Sequence, residues 1–193
     1  MASKPAAALL ATDMRAKQVS SPPPYTATGG LSAGSGIRQV RRILEQVADP
    51  EIPVLTIADL GILRALRWRH DRLQVIITPT YSGCPAMQTI ADDIRAALNR
   101  NGYTRVEVIT QLAPPWTTDW LSAAGRKKLL QYGIVPPAGS TSKQSLRVPV
   151  TGLACPRCQS ANTEEISRFG STPCKALYRC NACLEPFDYF KCL

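Results

Sequence analysis

One histidine, His70, occurs in 193 residues, and aromatic side chains make up only 6% of them. Without a second histidine there is no imidazole pair for acid–base work. The carboxylate–histidine sets that hold the two irons of a diiron oxygenase in a helical bundle are also missing. No G-x-x-x-x-G-K-[ST] phosphate loop and no G-x-G-x-x-G dinucleotide fingerprint occurs. An oxidation chemistry of its own is therefore not expected of this chain. Long apolar runs are missing as well: none approaches the roughly 18–20 residues that a membrane helix needs. The apolar stretch 6–11, between Lys4 and Asp13, is too short and too lightly charged at its start for a secretory signal. A soluble cytoplasmic protein is expected, with its thiols reduced. Acidic residues are few too, 14 against 23 Lys+Arg, for a net charge of +9.

What the chain does have is cysteine, and its placement is uneven. Six of the seven fall in the last 39 residues: Cys155, Cys158, Cys174, Cys180, Cys183 and Cys192. Clusters of this kind are disulfide staples in oxidising compartments and metal sites in reducing ones. Cys155-Pro-Arg-Cys158 and Cys180-Asn-Ala-Cys183 are two C-x2-C knuckles separated by 21 residues. Two such knuckles on hairpin turns bring four thiolates to the corners of a tetrahedron, with Zn–S distances of about 2.3 Å. Strand-like segments at 163–169, 176–179 and 185–191 connect and follow them. The reading is a zinc ribbon with a closed, structural Zn2+ site at Cys155, Cys158, Cys180 and Cys183. Cys174 and Cys192 remain as spares. So short a segment buries little core, so the metal would carry its fold.

Ahead of the ribbon, residues 1–34 hold Ser20-Ser21-Pro22-Pro23-Pro24 and Gly29-Gly30 and read as a flexible tail. From Gly36, Val40, Ile43, Leu44 and Val47 fall at i, i+3, i+4 and i+7, a helix that Asp49-Pro50 ends. Strands at 62–69 and 72–79 flank His70-Asp71, a hairpin turn in which His70 is solvated. A helix from Cys84 to about Asn99 follows, then a strand at 104–110 and a last helix from about Thr117 to Gln131. The α-β-β-α-β-α order predicts an α+β fold, helices packed on one small mixed sheet, over 35–138. A polar linker, 139–147, then leads to the ribbon at 148–193. Trp116 and Trp120, four apart, are read as core anchors of the last helix.

Cys84 stands alone in Thr78-Pro79-Thr80-Tyr81-Ser82-Gly83-Cys84-Pro85-Ala86-Met87. Pro85 suits the first helical position, which makes Cys84 the N-cap. There the helix end would favour a thiolate able to attack an electrophile or to ligate soft iron. The competing reading is a packed structural thiol, and the residues alone leave both standing.

Asp49-Pro50-Glu51-Ile52-Pro53-Val54, Ile57-Ala58-Asp59-Leu60-Gly61 and the stretch 78–87 resemble the SufT-type family of iron–sulfur maturation proteins. The run Leu112-Ala113-Pro114-Pro115-Trp116-Thr117-Thr118-Asp119-Trp120-Leu121-Ser122, Tyr132-Gly133-Ile134 and the cysteine-rich end are similar to a narrower, PaaD-like branch of it. That branch accompanies the bacterial phenylacetyl-CoA ring epoxidase (monooxygenase) of aerobic phenylacetate catabolism. The resemblance covers about residues 36–193. It implies a non-catalytic accessory protein that assists assembly or delivery of an iron–sulfur cluster to the epoxidase's reductase component. Cys84 would be the working thiol for a transient cluster or iron. Asp49, Glu51, Asp59, Thr80, Thr117, Thr118 and Asp119 occupy supporting motif positions. Each also has a local reading, in loop turns for Asp49 and Asp59 and at a helix start for Thr117, Thr118 and Asp119.

Since one thiol cannot complete the four-thiolate shell of a cluster, a homodimer sharing the site is expected. The alternatives are a structural subunit that stays on the oxygenase and, more remotely, a nucleic-acid-binding zinc-ribbon protein. Against the last, residues 148–193 hold five Lys+Arg and four acids before four thiolates are set against one Zn2+. The ribbon is slightly negative and has no surplus for phosphates. The positive excess sits outside it, including Arg38, Arg41, Arg42 and Arg126-Lys127-Lys128.

Overall fold

The computed structural model describes residues 31–137 and 150–191. Most of the expected tail, the linker 139–147 and Cys192 lie outside them. The first helix, α1 (Leu31–Leu44), starts before the expected Gly36, since Gly34 and Gly36 each cost a helix only about 1 kcal/mol. It ends at Leu44, ahead of the Asp49-Pro50 stop. Its stripe buries Val40 and Leu44 completely.

Two strands, β1 (Leu63–Arg69) and β2 (Arg72–Ile77), pair antiparallel around His70-Asp71. His70 takes a positive φ of 57° in this tight turn and is exposed, as expected. The second long helix, α2 (Met87–Arg100), carries the chain across the sheet to β3 (Val106–Thr110), which pairs parallel with β2. The sheet is thus mixed, in the order β1-β2-β3. Its centre, β2, is buried from Leu73 to Ile77. Gln74 there accepts from Arg67 Nε and donates to Glu107 Oε2, both at 2.8 Å, so the polar residue inside the sheet is satisfied on both neighbouring strands. Helix α2 lays Ile90, Ile94, Ala97 and Leu98 into the core.

The single helix expected over 117–131 is two pieces. A 3-10 turn covers Thr118–Trp120, and α3 (Ala123–Gln131) starts afresh at Ser122, whose Oγ accepts from the Gly125 N–H at 2.8 Å. Leu121 is extended between them. Trp116 and Trp120 therefore do not share a helical face. Trp116 is core, 4% exposed, with its Nε1 donating to the Leu60 carbonyl at 2.8 Å. Trp120 is half-buried beneath the Arg64 guanidinium, 3.3 Å from its ring centroid.

The strand β4 (Ile134–Val135) directly follows α3. The ribbon strands β5 (Thr163–Ser167), β6 (Lys175–Cys180) and β7 (Pro186–Phe190) follow the expected segments as an antiparallel meander. Parallel pairing of β4 with β7 completes the ribbon sheet, in the order β4-β7-β6-β5. Phe190 packs edge-on against Trp116, with centroids 6.2 Å apart, and both belong to the main core. The ribbon is docked on the α+β layer through a shared sheet and a shared core.

Candidate functional site

The two knuckles fold alike. In each, the first cysteine's N–H donates to a carbonyl five residues on, Cys155 to Ser160 and Cys180 to Glu185. The residue after the second cysteine, Gln159 or Leu184, returns its N–H to the first cysteine's carbonyl. Those two residues take positive φ values of 62° and 64° to close the turns. Cys155 Sγ lies 3.7 Å from Cys183 Sγ, Cys158 Sγ lies 3.5 Å from Cys180 Sγ, and all four sulfurs fall within 4.8 Å of one another. A tetrahedral zinc with Zn–S near 2.3 Å requires S···S edges of about 3.8 Å. The residues fit the ion. The Cys183 N–H, against desolvation, pulls the Cys180 thiol down to about 6, and the Ala182 N–H assists. With four sulfur ligands the site is closed, so its chemistry is structural.

Cys84 is elsewhere and differently placed. It is not the N-cap of α2: that position is Ala86, in helical conformation and without a side-chain cap. Cys84 sits in the preceding turn, its N–H on the Tyr81 carbonyl at 3.1 Å. The helix begins at Met87, two residues later than the proline suggests. The expected thiolate-favouring setting fails with it. Burial pushes the Cys84 thiol up, and the charges of Asp49 and Glu51 add to this. The Ala86 N–H and the Thr80 hydroxyl, which favour the thiolate, do not outweigh them.

Asp49, Glu51 and Thr80 are thus gathered around Cys84. Asp49 is 5% exposed, and its Oδ1 accepts the N–H groups of Glu51 and Ile52 at 3.0 and 2.8 Å. Burial raises its own carboxyl, against those two bonds. Thr80 is buried and Glu51 half-buried.

Asp59 keeps other company. It bonds the Thr56 backbone and hydroxyl, accepts from Ser122 Oγ at 3.1 Å and pairs with Lys128 Nζ at 2.6 Å. Burial works against the charge, but Lys128 and Thr56 together hold the Asp59 carboxyl below its ordinary value. These bonds tie the start of α3 to the turn before β1. Thr117 is half-buried and extended, Thr118 is fully buried with its hydroxyl unpartnered, and Asp119 is exposed.

The spare thiol Cys174 stands apart from the zinc knuckles. Only 8% exposed, it packs into the main core against which Cys84 also lies, and not into the ribbon's own cluster of Tyr178, Phe187 and Tyr189. Its sulfur is 3.0 Å from Thr172 Oγ1. Burial raises its thiol, as do the charges of Asp49 and Cys84, against Thr172. Tyr81, half-buried, is raised by burial and by the charges of Cys84, Cys174 and Glu51. Nothing in the spacing pairs Cys174 with Cys84; the one available signal was a surplus of thiols beyond the zinc set.

Comparison with known proteins follows the same division. Residues 37–108 match an iron–sulfur cluster assembly protein family, and residues 139–191 match the PaaD zinc β-ribbon domain. Over 157 residues, 81% of this chain and 93% of that protein, the sequence is 50% identical to an Escherichia coli (strain K12) protein named as the D component of 1,2-phenylacetyl-CoA epoxidase. The chain belongs to the PaaD family of phenylacetyl-CoA epoxidase components. A Bacillus subtilis (strain 168) Fe-S protein maturation auxiliary factor, YitW, is 37% identical over 41% of this chain and 78% of its own length. Among solved structures, a DUF59 domain from Bacillus anthracis aligns with a TM-score of 0.47 at 25% identity, covering 50% of this chain and 92% of that one. In this PaaD family member, Asp49, Glu51, Asp59, Thr80 and Cys84 all lie in the segment matched to iron–sulfur assembly, and Cys174 lies in the ribbon.

Proposed function

We propose that this PaaD family member is a non-catalytic accessory factor that assists iron–sulfur cluster assembly or delivery, with the reductase component of the phenylacetyl-CoA epoxidase as its client. Cys84 carries iron or a transient cluster as cargo, acting in the reducing cytoplasm. The observation that carries the reading is a half-buried free thiol, acted on by Asp49, Glu51 and Thr80, in a segment of iron–sulfur assembly type. The raised thiol suits a carrier: it stays protonated and unreactive until a metal ion displaces the proton, and it releases its cargo when the proton returns. The ribbon, with its zinc closed off, gives the client a rigid surface. A homodimer would bring two Cys84 sites together, and sedimentation of the zinc-loaded chain measures it.

The test is maturation of cluster-free reductase component under anaerobic conditions, followed by its visible absorbance. Wild type should speed cluster acquisition about tenfold or more over the Cys84→Ser variant; equal rates would refute the thiol role. The Escherichia coli relative is named as a part of the epoxidase itself, which favours a second reading, a permanent structural subunit. Stoichiometric co-purification with active oxygenase would support it over a transient factor.

A further inference from the structure

We propose that the hairpin end of the β1–β3 sheet, on the face turned away from the main core, docks an acidic segment of a partner protein through Arg69 and Arg72. The surface stands independently of the Cys84 reading. In the register of the sheet, Leu66, Leu73, Val75, Val106 and Val108 turn into the main core. The residues between them face the other way. Two hydrogen bonds fix that face: Arg67 Nε donates to the Gln74 side chain, which donates to Glu107 Oε2, both at 2.8 Å. Nearer the turn, Arg69 stands directly opposite Arg72. Arg105 is held at the same turn, by its salt bridge to Asp71 and by the Leu73 N–H on its carbonyl at 2.8 Å. Three exposed arginines thus gather at one end of the sheet. Asp71 pairs with Arg105, whereas neither Arg69 nor Arg72 makes a salt bridge among the described residues. Like charges directly opposite one another destabilise a strand pair. An anion placed between the two guanidinium groups removes that repulsion.

Two open concavities meet at Arg72. One, of about 430 Å3, has Arg69, Gln74 and Glu107 in its lining; the other, of about 320 Å3, has Thr104 and Arg105. Guanidinium groups take carboxylates through paired, parallel hydrogen bonds. The acid must come from another molecule. Residues 1–30 hold one acid, Asp13, against Lys4, Arg15 and Lys17, and residues 138–149 hold none. A second copy is a poor occupant, because each chain carries +9 and like-charged surfaces repel on approach. Nucleic acid fits less well than protein. Asp71 and Glu107 line the same concavity as Arg69 and Arg72, and a phosphate backbone is negative at every nucleotide. An acidic protein segment can set carboxylates on Arg69 and Arg72 while offering donors to Asp71 and Glu107. The placement suits an accessory factor. Strand β2 runs from Arg72 to Ile77, and Cys84 follows its far end, so the grip on a partner is made at the end of the sheet away from the thiol.

The experiment uses the full, zinc-loaded chain and a fluorescein-labelled decaglutamate peptide, with binding read by fluorescence anisotropy at about 20 and 150 mM salt. The double change Arg69→Glu with Arg72→Glu should weaken binding about tenfold or more. Arg38→Glu with Arg42→Glu removes the same charge from exposed positions of α1 and should weaken it less than about threefold. The single change Arg69→Glu gives a second readout. It sets an acid opposite Arg72, so peptide binding should fall while the melting temperature rises. Equal losses in the two double variants would mean that net charge alone drives binding, and would overturn the proposal. No binding by wild type overturns it as well, as does a single-stranded DNA of about ten nucleotides that occupies the same arginines more tightly than the peptide. A lowered melting temperature in Arg69→Glu would assign the arginine to the fold instead. Neither iron nor client is present in this assay, so its failure leaves the Cys84 reading standing. Equal cluster acquisition with Cys84→Ser would in turn leave this surface standing.

Discussion

At the scale of single residues, Asp49 adds its charge to the burial that raises the Cys84 thiol. Its carboxylate builds the loop through two backbone bonds and at the same time opposes ionisation of both Cys84 and Cys174. The two roles can be separated. Asp49→Asn keeps an oxygen for the Glu51 and Ile52 N–H groups but removes the charge, so the Cys84 thiol should titrate lower. Its alkylation by iodoacetamide at neutral pH should then rise several-fold, toward the tenfold that one pKa unit represents. Asp49→Ala loses the loop bonds as well and should cost about 1–3 kcal/mol in urea denaturation. Of this site the sequence showed the residues but not their balance. Pro85 suggested a helix-capping thiolate, whereas α2 starts at Met87, and burial, a property of the whole core, outweighs the one N–H that Cys84 receives.

At the scale of elements, α3 is held by the turn that carries Asp59. A Cβ on Gly125 would lie 3.1 Å from Asp59 Cβ, so the helix start and the turn are in direct contact. The Asp59 carboxyl is held below its ordinary value, so its stabilising contribution is present above the unfolded carboxylate pKa of about 3.9. It is lost as pH falls through the lower folded value. Lys128→Met should flatten that acid-side decline, as followed by circular dichroism between about pH 4 and 2. Gly61, in the same turn, has φ +68°, and a Cβ there would sit 2.5 Å from the Trp120 carbonyl oxygen. Gly61→Ala should therefore destabilise by about 1–3 kcal/mol for the backbone alone, with the clash added, and lower the melting temperature. The strands and α2 were legible because alternation and the 3.6-residue period report burial directly. The break at Leu121-Ser122 was not, since beside the local cap of Ser122 on Gly125 the fresh helix start is held by bonds that Ser122 and Lys128 donate to the distant Asp59.

For the molecule as a whole, the ribbon and the α+β layer share β4–β7 pairing and the Trp116–Phe190 contact. Zinc binding should therefore be felt well beyond the ribbon. Chelation, or Cys155→Ser, should unfold the knuckles and expose Trp116 to solvent. The expected result is a red shift of tryptophan emission that tracks zinc release, with a lowered melting temperature for the α+β layer too. Phe190→Ala should weaken the same coupling by about 3–5 kcal/mol without removing a metal ligand. If the zinc-free chain kept the tryptophan emission and melting temperature of the intact protein, the two modules would be independent.

Scarce histidine and abundant cysteine were already decisive for chemistry: the zinc set, the lack of catalytic imidazole pairs, and the elements on which the site is built are local patterns of spacing and period. The fate of the remaining thiols was not local. Whether Cys84 ionises depends on desolvation and on a buried carboxylate from another loop. Whether Cys174 packs in the ribbon or in the main core depends on docking two modules through a two-residue strand too short to announce itself. Only the tertiary structure decides these, because burial, through-space charge and packing join residues that sequence distance keeps apart.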